Sequence, residues 1–230
     1  MNRVFEKEYL FRASVERVWQ ALTDPEEMSR WMGHRVIALE LRPGGRLEVE
    51  GLHAGTIREL EPPRRMVWAW DPDDGSQPMV ETITLHPADG GTRVEVHVVA
   101  QGRWAEDLMY FSGVEAGWEG WLQAINQLIE TGTVPEEQGG GLLEASLGAE
   151  EIDGKHRLFV KRVKPGGAAE AAGLQVGDTL RSWNGKPLER VATFWRLFWS
   201  SPPGAQVRLE VERSGQLLTL ELVLAQPKAS

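Results

Sequence analysis

"PGGAAEAAGLQVGDTL", Pro165 to Leu180, decides how the second half of this chain folds. Gly166, Gly167, Gly173 and Gly177 surround an alanine-rich run, which raises the question of a phosphate loop. Such a loop needs G-x-x-x-x-G-K-[ST], with the lysine reaching the phosphates. Here Gly177 is followed by Asp178 and Thr179, so a carboxylate stands where a phosphate would sit. The dinucleotide pattern G-x-G-x-x-G is absent as well. The glycines are punctuation. Pro165 ends a strand in "RLFVKRV", Gly173 caps a short helix, and Gly177-Asp178 turns into a strand through Leu180 and Trp183.

Further along, Asn184-Gly185 reads as a hairpin turn and "VATFWRLFW" as a second helix. "AQVRLEVERSGQLLTLELVLA" alternates cleanly about Ser214-Gly215, a second hairpin. The motifs "RVKPGGAAEAAGLQVGDTLRSWNGKPL" and "VRLEVERSGQLLTLELVL" resemble a PDZ domain of the kind attached to bacterial proteases, over about 143–226. That resemblance implies a partly open β-barrel with two helices that takes a partner's C-terminal peptide as an added strand. It also implies a carboxylate-binding loop at Ser146, Leu147, Gly148 and Ala149, with Ala149 smaller than the apolar residue usual there. The acidic "EEIDG" follows, where the groove strand is expected to begin, and disfavours an acidic peptide. Phe194, Leu197 and Phe198 are candidates for the opposite pocket wall, or for plain core packing. Trp195 and Trp199 then face elsewhere.

Upstream, "IETGTVPEEQGGGLLEAS" divides the chain. Gly132 and then Pro135 stop a periodic helix, and three glycines follow at 139–141. The expected plan is an α+β protein with a first domain at 1–132, a linker at 133–143 and a second domain at 144–230.

The first domain opens on a strand, "VFEKEYLFRA", and a helix, "SVERVWQALTD", with Ser14 as a plausible N-cap. Asp24-Pro25 caps another short helix. About six strands follow, with turns at Pro43-Gly44-Gly45, Pro62-Pro63, Asp73-Asp74-Gly75 and Asp89-Gly90-Gly91. Val114, Trp118, Trp121, Ile125 and Leu128 then mark one apolar helix face. The stretches "ASVERVWQALTDPEEMSRWM", "LRPGGRLEVEG", "GTIRELEPPRRMVWAW", "GGTRVEVHV" and "GWEGWLQAINQLIE" resemble, in that order, the START-like (SRPBCC) helix-grip superfamily. The similarity is to the branch that includes the activator of heat-shock-protein-ninety ATPase. It implies a long helix gripped by a curved antiparallel sheet, and either binding of a small hydrophobe or a chaperone-assisting role.

Composition bounds the partners. The chain has 230 residues, 41% hydrophobic and 26% charged, ordinary for a globular protein. Residues 1–133 carry 13 basic and 22 acidic side chains, a net charge of −9, while the remainder carries 12 of each, net zero. An acidic first half argues against nucleic acid. No apolar run approaches a membrane helix, and the first twenty residues lack a signal-peptide core, so the cytoplasm is the expected location. Cysteine is absent, which removes disulfides and thiolate chemistry.

The sequence carries none of the familiar catalytic patterns. "FSGVEAG" lacks the flanking glycine of a nucleophile elbow. The five histidines show no H-x-x-x-H spacing, and "DPDDGS" departs from a calcium loop at Ser76 and Thr82. No cofactor and no metal is expected. The tryptophans Trp31, Trp68, Trp70, Trp118 and Trp121, with Ile125, either line a pocket for an apolar ligand or fill a small core, the simpler reading. The expectation is a non-enzymatic adaptor that binds a C-terminal peptide and an apolar ligand, client or chaperone. The alternative is a cyclase- or hydrolase-like enzyme working in the helix-grip cavity.

Overall fold

The computed structural model describes residues 2–50, 54–71, 77–134 and 141–226. The expected linker lies mostly outside these residues, as does the Asp73–Gly75 turn. The chain forms two compact units, Met1–Glu106 with Gly117–Glu137, and Asp107–Ala116 with Gln138–Ser230. No helix among the described residues is long and apolar enough to cross a membrane.

The first unit begins with β1 (Asn2–Phe11), α1 (Val15–Thr23) and α2 (Pro25–Met32). Ser14 accepts a hydrogen bond from the Arg17 N–H, and Asp24 accepts from Glu26 and Glu27, so both N-caps form as expected. Six strands follow: β2 (Val36–Leu39), β3 (Arg46–Val49), β4 (Gly55–Glu61), β5 (Arg65–Trp70), β6 (Met79–Ala88) and β7 (Gly91–Gln101). After α3 (Arg103–Glu106) comes α4 (Leu108–Thr131), whose residues from Gly117 onward belong to this unit. All strand pairs are antiparallel, in the order β1-β7-β6-β5-β4-β3-β2. Period-two alternation turns Met79, Glu81, Ile83 and Leu85 of β6, and Val94, Val96 and Val98 of β7, inward. Trp118, Leu122, Ile125 and Leu128 of α4 are buried, which gives a helix-grip arrangement. Trp121, on the predicted stripe, is only half-buried.

The second unit contains β8 (Ala145–Ile152), β9 (Lys155–Val163), α5 (Ala168–Ala171), β10 (Thr179–Trp183), β11 (Lys186–Pro187), α6 (Val191–Trp199), β12 (Gln206–Arg213) and β13 (Gln216–Val223). Its sheet runs β13-β12-β10-β9-β8, with β11 paired to β10. Asn184-Gly185 and Ser214-Gly215 both adopt positive φ, as two-residue hairpin turns of this twist require. Leu158, Val160, Leu180, Trp183, Phe194, Val207, Leu209 and Leu222 form its core, joined by Leu108 and Met109 from the first turn of α4. Trp195 donates its indole N–H to the Met109 carbonyl at 2.9 Å and stacks on Trp199, which is 37% exposed.

Candidate functional site

Two places stand out, one in each unit. In the first unit the tryptophans converge on a residue that the sequence did not single out. Glu81 occupies an inward position of β6 and is 2% exposed. Its Oε2 accepts the indole N–H of Trp68 at 2.9 Å and of Trp118 at 3.0 Å, and its Oε1 accepts that of Trp70 at 3.0 Å. Pairing in the sheet explains two of the three: Trp68 lies directly opposite Glu81 on β5, and Trp70 is two residues further along. Trp118 arrives from α4 and stacks on Trp68, with ring centroids 6.2 Å apart. Trp31 meets Trp121 edge-on at 5.8 Å and donates to the Ala21 carbonyl.

Burial pushes the Glu81 carboxyl up to about 7, against the three indole bonds that favour its charged form. No lysine, arginine or histidine pairs with it among the described residues. Trp31, Trp68, Trp70, Trp118 and Ile125 are all at most 4% exposed, so the predicted pocket residues are brought together as packed core, with Trp121 at its margin. One signal could have exposed Glu81. It interrupts the run Met79, Ile83, Leu85 at a position whose neighbours are apolar, close to several indoles needing acceptors.

In the second unit, Ser146, Leu147, Gly148 and Ala149 lie within strand β8 rather than in a loop before it. This corrects the expected placement. The hairpin turn falls at Asp153-Gly154, both at positive φ, so the acidic "EEIDG" closes the strand instead of starting it. β8 is the last strand of the sheet and pairs only with β9, leaving an edge free of ladder partners among the described residues. The register slips between Ser146 and Leu147, which skips Lys161 on β9. A side chain on Gly148 would collide with Phe159 and Lys161. Leu147 and Ala149 are half-buried against the core, as are Leu197 and Phe198 of α6, while Phe194 is fully buried. Phe194 and Phe198 stack with centroids 5.5 Å apart, and Trp183 meets both edge-on. Phe194 is therefore core.

At the start of β8 a cleft of about 480 Å³ is lined by Glu144, Ala145, Ser146, Arg162, Val163, Lys164 and Pro165. Glu144 is bonded there to Lys164 and accepts the Ala168 N–H at 2.9 Å. Of the histidines, His156 is structural: its Nδ1 accepts the Val191 N–H at the start of α6.

The geometry defines a helix-grip domain followed by a PDZ domain. The chain belongs to the family described as Activator of Hsp90 ATPase homolog 1-like protein, which matches residues 12–130, and a PDZ domain matches residues 145–224. Among curated proteins, it is similar to the periplasmic serine endoprotease DegP of Salmonella typhimurium, 30% identical over 46% of this chain and 23% of that protein. It is also similar to the Escherichia coli periplasmic pH-dependent serine endoprotease DegQ, 36% identical over 32% of this chain and 16% of that protein. The chain thus spans less than a quarter of either relative. Among solved structures, protein MLL2253 from Mesorhizobium loti is 21% identical, covering 56% of this chain and 97% of that one at a TM-score of 0.49. CalU16 from Micromonospora echinospora is 26% identical, covering 57% and 77%, at a TM-score of 0.45.

Proposed function

We propose that this protein is a non-enzymatic adaptor. Its PDZ domain takes the C-terminal peptide of a partner as an added strand on β8, and its helix-grip domain engages an apolar ligand, a client or a chaperone. The observation that carries the reading is the edge of β8 that has no ladder partner among the described residues, with the half-buried Leu147 and Ala149 on that strand. An extended peptide satisfies the open backbone groups, and its side chains meet the apolar residues of β8 and α6. The proposed setting is the cytoplasm, which fractionation of cells expressing the tagged full chain tests.

The decisive experiment is a titration of the full-length protein against a C-terminal peptide library, each hit also made with an amidated end. Free-carboxylate peptides are expected to bind, with loss of binding on amidation and in Leu147→Asp. Equal affinity for amidated peptides, or in Leu147→Asp with the fold intact, rejects the site.

One observation favours a second reading, acid–base chemistry in the helix-grip core. Glu81 has a carboxyl pushed up to about 7, a range useful to a general acid. Against it, three indole N–H groups already occupy its oxygens and its surroundings are packed. A water-soluble carbodiimide separates the two: rapid labelling of Glu81 at pH 6 supports catalysis, and protection supports the adaptor.

A further inference from the structure

We propose that Glu81 is a proton-sensitive clasp, whose charge state sets how firmly Trp118, and with it the surrounding turns of α4, is held to the sheet. A single carboxyl joins β6 to both β5, through Trp68 and Trp70, and α4, through Trp118. All three contacts are donors. A carboxylate has lone pairs for each of them, but it sits in a buried, aromatic site with no counter-cation among the described residues. A carboxylic acid escapes that burden, yet its hydroxyl brings a fourth hydrogen into a ring of donors. Neither form is fully satisfied.

Among the described residues no other charge is bonded to Glu81 to fix the balance. The ionisable side chains on the packed elements include Glu115 and Glu119 on α4, Arg65 on β5, Glu95 and His97 on β7, and Arg30 on α2. Each keeps contact with solvent, and none bonds Glu81. Glu119 pairs with Lys7, Arg65 with Glu59, and His97 and Glu95 have partners on the outer face of the sheet. Burial outweighs the three bonds, so the neutral form is favoured up to about pH 7. Above that the ionised group gains by admitting water, and the contact closing it off from α4 is Trp118.

The test follows the indole N–H resonances of the full-length protein by NMR from pH 5 to pH 9, with hydrogen exchange of the backbone of α4 at pH 6 and 8.5. The Trp68, Trp70 and Trp118 signals are expected to titrate together with one midpoint near 7. Exchange around Trp118, corrected for its intrinsic pH dependence, should rise about tenfold across the midpoint. Both effects should vanish in Glu81→Gln. Flat indole signals in the wild type, or the same titration in Glu81→Gln, overturns the clasp. If Glu81→Gln does not fold, Trp118→Phe serves: losing one donor to the anion should move the midpoint upward, and an unmoved midpoint overturns the proposal.

Discussion

Asp178 and Arg213 meet in a two-pronged ion pair: Arg213 Nε donates to Asp178 Oδ1 at 2.7 Å, and its Nη2 to Oδ2 at 2.7 Å. Asp178 is 1% exposed and also accepts the Gln175 N–H at 2.8 Å, while Arg213 donates to the Gly173 carbonyl. The Gly-Asp pair that closes the phosphate question is thus a structural anchor, tying the turn before β10 to the end of β12. Removing the guanidinium leaves a buried carboxylate without its cation. Arg213→Ala should destabilise the second unit by about 3 kcal/mol in urea unfolding. Arg213→Lys should recover only part of that, because an ammonium cannot match both oxygens in one plane. Wild-type stability in Arg213→Ala would rule out the anchor.

The stability of the first unit should depend on pH through Glu81. Its carboxyl stands at about 7 in the folded protein against an ordinary value of 4.5, so the fold binds this proton more tightly than the unfolded chain. The stabilisation is complete below about pH 4.5 and is lost as pH rises through about 7. Its size is on the order of 3 kcal/mol. Urea unfolding of wild type and Glu81→Gln at pH 5 and pH 8 isolates it. The wild type should lose stability relative to the variant between the two, and a constant or opposite difference contradicts the raised carboxyl.

Gly91 starts β7 at a φ of 153°, where a Cβ would run into the Phe11 carbonyl oxygen at the end of β1. The obstacle is backbone, so no rotamer relieves it. Gly91→Ala should cost roughly 3 kcal/mol or more. The loss should appear in thermal unfolding of the full chain, with faster amide exchange in β1 and β7. Unchanged exchange in both strands would show that the close approach is dispensable.

Asp24 ends α1 and starts α2, with Oδ1 accepting the Glu26 and Glu27 N–H groups at 3.0 and 2.9 Å. Asp24→Ala should destabilise by about 1 kcal/mol, and Asp24→Asn by less, since the amide oxygen still accepts. Chemical denaturation distinguishes the two, and equal losses would point to charge rather than capping.

The order of elements was legible because turn chemistry and periodicity agree. Pro25 after Asp24, the paired residues Asn184-Gly185 and Ser214-Gly215, and the alternation of β12 and β13 each specify one local geometry. The strand carrying Ser146–Ala149 is harder to read: Asp153-Gly154 carries the same hairpin signal, but the acidic residues before it break the apolar alternation that marks a strand. Glu81 left only a faint trace, a charge at an inward position in the alternation of β6. A glutamate in a strand normally faces water, and only the positions of Trp68, Trp70 and Trp118 in space show three donors converging on it. Helix periodicity placed Trp118, Trp121 and Ile125 on one face but could not say which would stay at the margin.

The sheet order of the first unit carries a consequence for how the chain assembles. Every neighbouring pair joins strands adjacent in sequence except one, β1 with β7, in which Phe11 pairs with Thr92 and Asn2 with Gln101. Within this sheet β1 is made first and its one ladder partner among the described residues is made last, so β1 must wait until the rest of the sheet has been synthesised. At roughly 5–20 residues per second that interval is several seconds. Throughout it, β1 exposes both edges and the side chains Phe5 and Phe11, which the finished fold covers in part or in full, a period of vulnerability written into the topology.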